Sequence, residues 1–127
     1  QNLIFVKKTQ RREETRVNVD LTLQAKEIIV DDNQTIKLHK TLTMQTIDLS
    51  ASGISLLCKL NIKKHVKIPI ELPINDEAIP CIAEIIRKEE KENGFYCYGC
   101  KFVDLAEHMQ DKIRGYVYKQ QVKNRKY

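Results

Sequence analysis

The chain has 127 residues, 42% of them hydrophobic, and 22 Lys+Arg against 17 Asp+Glu give it a net charge of +5. That length fits one domain with a core of ordinary size. Four glycines and three prolines exclude collagenous and low-complexity classes, and no apolar run approaches the roughly 18 residues of a membrane helix. The positive excess is confined to the ends. Residues 1–16 hold five basic and two acidic groups and residues 112–127 hold six basic groups and no acid, so the stretch between, with 11 basic and 15 acidic groups, nets −4. A basic groove across the whole fold, as a duplex-binding protein needs, is not drawn by this sequence.

Residues 1–15 are polar apart from Leu3 to Val6 and read as a flexible arm. From Val17 the pattern turns to strict alternation, with Val17, Val19, Leu21, Leu23 and Ala25 on one face, which predicts a strand. A turn at Asp31-Asp32-Asn33 leads to a second strand over Thr35 to Ile47, and a third covers Ile54 to Leu60. Val66, Ile68, Ile70 and Leu72 alternate in a fourth, where Pro69 on the opposite parity marks an edge or a bulge. Ile79 to Arg87 forms a fifth strand and Phe95 to Val103 a sixth, with Asn93-Gly94 the strongest hairpin signal. Asp104 is placed to cap a helix over about 104–123 whose apolar stripe is Leu105, Met109, Ile113, Tyr116 and Val117. Gly115 within it costs roughly 1 kcal/mol against Ala, so packing must hold the helix. Six short strands and one amphipathic helix predict a mainly β fold: a six-stranded antiparallel β-barrel over 16–127 with a C-terminal α-helix.

The four cysteines, at 58, 81, 97 and 100, include a C-x-x-C pair at Cys97 and Cys100. A zinc ribbon wants a second close pair, and neither Cys58 and Cys81 nor His39, His65 and His108 supply one. Free, mostly buried thiols fit better, and no nucleophile–base pair stands in an activating context, so an enzyme is not predicted. Without a signal peptide, a reducing cytoplasm is the expected location. The first residue is Gln rather than Met, which reads as a piece of a longer chain with a domain upstream.

Two constellations carry chemistry. Gln10-Arg11-Arg12-Glu13-Glu14-Thr15-Arg16 gathers three of the six arginines where the arm meets the first strand. Guanidinium forks bind phosphate bidentately and stack on or pair with purines, whereas a bland charge run would be merely solvated. Asp48-Leu49-Ser50-Ala51-Ser52-Gly53 lies at a strand junction, where Asp, Ser and Gly serve either an Asx-turn with a positive φ at Gly53 or a polar site.

Together, Arg12-x-x-x-Arg16 and Asp48-x-Ser50-x-x-Gly53 resemble the two motifs with which the PilZ domain family binds cyclic di-GMP. Tyr98-Gly99-Cys100-Lys101-Phe102-Val103-Asp104-Leu105 is similar to that family's last strand, and the resemblance spans about residues 10 to 120. It implies a ligand site of Arg11, Arg12, Arg16, Asp48, Ser50, Gly53 and Gly99. In it the arginines take phosphate and guanine edges, Asp48 accepts guanine N–H donors, Ser50 donates, and Gly53 admits the ligand close to the backbone. The residue before the first motif arginine, here Arg11, influences whether one molecule or an intercalated pair is bound. Flagellar brake proteins within the family carry a similar Q-R-R-x-x-x-R linker after another domain. The resemblance thus implies an arm that clamps on the ligand, reorients an upstream domain and acts on a partner such as the flagellar motor or exopolysaccharide machinery. The competing expectation is a small basic barrel binding RNA or single-stranded DNA, for which Phe95, Tyr96, Tyr98 and Phe102 are the available aromatic platform.

Overall fold

The computed structural model describes residues 14–125. The alternating segment that begins at Val17 forms two strands rather than one, β1 (Val17–Asn18) and β2 (Thr22–Val30). A buried hydroxyl accounts for the break. Thr46 accepts the Leu21 N–H at 2.8 Å, and its own O–H faces the carbonyl oxygens of Val19 at 2.9 Å and Leu21 at 3.2 Å. This holds residues 19–21 out of regular pairing while β1 and β2 both run along one edge of β3 (Gln34–Leu49). The predicted turn is a single 3-10 turn at Asp31–Asn33, with Asn33 left-handed at φ 58.

Four further strands complete the sheet: β4 (Gly53–Cys58), β5 (Lys67–Ile74), β6 (Glu77–Glu90) and β7 (Tyr96–Phe102). β4 pairs with the second edge of β3, then β7, β6 and β5 follow in turn, and Ile29 of β2 meets Lys67 of β5. The result is the expected closed, six-stranded antiparallel barrel, with β1 a short extension beside β3. Closure is thin at the β2–β5 seam. Ile29 and Lys67 are its one registered pair, and Pro69 and Pro73 take donors away from β5 just beyond it.

Turn chemistry differs from expectation in one place. The tight two-residue hairpin is Asn75-Asp76 between β5 and β6, both left-handed at φ 49 and 61, which the primed turns require. Asn93-Gly94 instead sits in a longer loop closed by the Lys91 N–H on the Phe95 carbonyl at 2.8 Å.

The barrel interior is filled by Leu23, Met44, Ile54, Leu56, Ile68 and Ile85 among others, and Tyr98 lies wholly within it. Helix α1 (Glu107–Arg125) buries Ile113 and Val117 against this core, near β1. Asp104 is not its cap. The Val103 N–H stays bonded to Ile82 on the sheet at 2.9 Å, Asp104 makes a left-handed corner at φ 51, and the Ala106 carbonyl accepts the first helical bonds, from Met109 and Gln110.

Candidate ligand-binding site

Asp48 and Ser50 lie where β3 ends, and Arg16 lies just before β1, which pairs beside them. Val17 registers with Leu49 and Asn18 with Asp48, so the sheet itself delivers Arg16 to the second motif. The Arg16 guanidinium donates from Nε at 3.2 Å and Nη2 at 2.9 Å to Asp48 Oδ1, and its Nη1 stands 3.5 Å from Ser50 Oγ. Both Asp48 bonds land on Oδ1, and among the described residues none falls on Oδ2. Arg11 and Arg12 lie outside the described residues.

Ser50 also shapes the turn. It is fully buried, and its Oγ accepts the N–H groups of Ser52 and Gly53, each at 3.1 Å, while the Ser50 N–H bonds the Gly53 carbonyl at 2.9 Å. It organises the turn that presents Asp48. Gly53 is likewise structural in a way the sequence did not show. Its φ is not positive, and a Cβ there would stand 2.2 Å from the Cys100 carbonyl oxygen. The close approach it permits is that of β7.

The arm is held from a second direction. Glu14 accepts Arg114 Nε at 3.2 Å and Nη2 at 3.0 Å across 100 residues, so α1 grips the segment two residues before Arg16. A cleft of about 360 Å³ lined by Glu14, Thr15, Ala51, Arg114 and Tyr118 runs between arm, motif turn and helix. Neither Glu14 nor Arg114 was singled out as a site residue from sequence, because their partnership depends on where the helix lands.

Gly99 sits in a cross-strand row on the outer face of the barrel. Asp48 registers with Ser55, Ser55 with Gly99, and Gly99 with Arg87. Tyr98 beside it points inward, its hydroxyl donating to the Leu60 carbonyl at 2.6 Å and accepting the Ile62 N–H at 2.7 Å, and burial pushes its pKa up to about 12. It is therefore absent from any exposed stacking surface, and Tyr96 and Phe102 also pack against the core. Cys58, Cys81 and Cys100 are buried free thiols, and burial drives Cys81 and Cys100 up to about 12. Among the described residues no cluster of His, Cys, Asp and Glu has a metal-binding arrangement, and no helix is long and apolar enough to cross a membrane.

The model of the PilZ domain matches residues 10–119. Among solved structures, the PilZ domain of YcgR from Escherichia coli with c-di-GMP superposes with a TM-score of 0.64 at 17% identity, covering 91% of this chain and 95% of that one. The Bacillus subtilis inhibitor of motility, MotI/DgrA, gives a TM-score of 0.67 at 18% identity over 92% of this chain and 54% of that one. YcgR from Escherichia coli in complex with c-di-GMP gives 0.67 at 17% identity, over 91% and 48%. This chain thus spans about half the length of the last two proteins, and at these identities the likeness is one of fold. No curated protein sequence matches the chain.

Proposed function

This chain belongs to the PilZ domain family, and on that premise we propose that it is a non-catalytic receptor domain for cyclic di-GMP. The observation that carries this reading is the Arg16 guanidinium resting on Asp48 and Ser50, residues 32 and 34 positions away in sequence. The described arginine of the first motif thereby meets the second motif, and their chemistry suits a guanine dinucleotide. The YcgR domain, solved with c-di-GMP, shares this fold.

The residues divide the work by charge. The ligand is a dianion with two guanines, so Arg16 and Arg12 take phosphate oxygens or the guanine O6/N7 edge through their forks. Asp48 Oδ2 accepts the ring and exocyclic N–H donors of guanine. Arg11 supplies an extra flat cation for a second, intercalated ligand molecule. Ser50 and Gly53 hold the platform in shape.

Binding closes the arm, residues 1–15, over the outer face of the barrel beside Asp48. An upstream domain attached to that arm is reoriented, an order change coupled to the ligand. Control of flagellar motility in the cytoplasm, through the motor or a protein acting on it, is the output we infer first, with exopolysaccharide synthesis second. The MotI likeness supports that order, since MotI is an inhibitor of motility.

Isothermal calorimetry with cyclic di-GMP tests the reading. The wild-type chain is expected to bind, and the double variant Arg12→Ala, Arg16→Ala to lose about a hundredfold or more, as two charge-assisted contacts at about 1.5–3 kcal/mol each require. Absence of binding at ligand on the order of 100 μM, a level that would reveal any affinity tighter than about 5.5 kcal/mol, overturns it. So does undiminished binding by the double variant, or a mobility shift with polynucleotide that cyclic di-GMP does not displace.

A further inference from the structure

The cross-strand row that starts at Asp48 ends at an arginine no motif includes. Along β6 the residues Ile79, Cys81, Ala83 and Ile85 are all buried, so Arg87 stands on the parity that enters the core. A β-bulge between Ile85 and Arg87 turns it outward instead. β3 repeats the device. Met44 and Thr46 are buried, Asp48 is next on the inward parity, and a bulge between Thr46 and Asp48 puts its carboxylate outside. Bulges re-aim side chains, and here two of them set opposite charges on one face, in one register row.

Between those charges lies a floor shaped for something flat. A Cβ placed on Gly99 would meet Arg87 Nη2 at 2.7 Å, Cζ at 2.9 Å and Nε at 3.2 Å. Three guanidinium atoms at nearly one distance mean that the group lies face-down on the Gly99 backbone, and the exposed side chain has its other face outward. The head group therefore rests over β7, two strand spacings or about 10 Å from the β3 backbone at Asp48. Ser55, between them in the row, is 92% buried by its 8% exposure, and its hydroxyl has no hydrogen bond among the described residues. Such an orphan is costly unless a partner arrives. Ser55, Lys64, Arg87 and Gly99 line a cleft of about 340 Å³, at the small end of ligand pockets. Lys88, which lines the same cleft with Glu89 and Cys97, also bonds Asn61 and lies over the Tyr96 ring, whereas Arg87 has no ion pair among the described residues.

We propose that Ser55, Gly99 and Arg87 form the far half of the ligand site, in which the Arg87 guanidinium stacks against the base not held by Arg16 and Asp48 and the Ser55 hydroxyl bonds to that same nucleotide. This rests on the cyclic dinucleotide reading above. Gly99 serves it by leaving room for the guanidinium to lie flat, and planarity matters as much as charge, since an ammonium cannot stack.

Calorimetry with cyclic di-GMP on single variants tests this, with thermal melts as the check on folding. Arg87→Ala is expected to weaken binding roughly tenfold or more, the scale of one stacked base, with its melting temperature unchanged because the side chain is exposed. Ser55→Ala should lose about threefold, within the range of one net hydrogen bond. Arg87→Lys should keep most of the Arg87→Ala loss, and full rescue by Lys would overturn stacking. Wild-type binding that Arg12→Ala, Arg16→Ala abolishes but Arg87→Ala leaves within about twofold, well under a single 1.4 kcal/mol step, would overturn this inference while leaving the receptor reading intact. A wild-type chain that does not bind removes both.

Discussion

The two ends of the register row are built on different principles. At the arm end, Arg16, Asp48 and Ser50 come from short segments whose residue types announce their chemistry, and they already touch. At the barrel end, Ser55, Gly99 and Arg87 come from three separate strands and meet only because β4, β7 and β6 pair in one register. The arm end is electrostatic and exposed, with Arg16 and Asp48 side chains 40% and 27% accessible. The barrel end sits on rigid ladder.

The strongest way to break the comparison is to break what the two halves share. Gly53 begins β4 directly after the motif turn and registers with Lys101, so the turn behind Asp48 and the strand bearing Ser55 hinge on it. With the Cys100 carbonyl oxygen 2.2 Å from the position of any Cβ, Gly53→Ala must push β4 from β7, since the nearest atoms, of Cys100 and Lys101, are all backbone. Urea denaturation should show a loss of about 3 kcal/mol. Cyclic di-GMP affinity should fall with it, through both halves at once. A variant as stable as wild type would mean that the strands separate freely there.

How much of this was legible depends on whether the information was local. The alternation from Val17, the C-terminal stripe through Ile113 and Val117, and the paired motifs were all written in neighbouring residues, and the barrel and helix followed. Thr46 was not legible as a strand-breaker, because its hydroxyl acts on Leu21, 25 residues away. Gly53 read as a turn glycine, and the reason for it lies on β7. Asn75-Asp76 was passed over as a hairpin because Gly is the usual second residue, while the geometry is the same. Asp48 and Arg87 did carry a signal, since each is a charge on the buried parity of an apolar strand. A charge in that place implies either an unpaired burial or a bulge, and burial of a lone charge is far the costlier.

A smaller perturbation sharpens the comparison by touching neither half. Gly115 is exposed in the interior of α1, and a Cβ there meets nothing within 4 Å. Gly115→Ala should raise stability by roughly 1 kcal/mol, through helix propensity and a less free unfolded chain. Cyclic di-GMP affinity should stay unchanged. Denaturation and calorimetry on this one variant would separate stability from binding, which the Gly53 variant joins. An affinity that rose along with stability would mean that helix order contributes to the ligand site.

The smallest effect belongs to the grip on the arm. Arg114 holds Glu14 through two bonds, but the side chains are 46% and 33% accessible, so solvent screening leaves such a pair below about 1 kcal/mol. Arg114 also pairs with Asp111 within its own helix, which divides its attention further. Arg114→Ala should therefore leave the melting temperature nearly unchanged and weaken ligand binding about two- to threefold, the modest share that pre-positioning of one exposed segment supplies. The difference should shrink as salt is raised, because the lost contact is a screened ion pair. If the same substitution strengthened binding, the Glu14 contact would be a restraint that the ligand must release, and the arm end would be a gate rather than a preset half of the site.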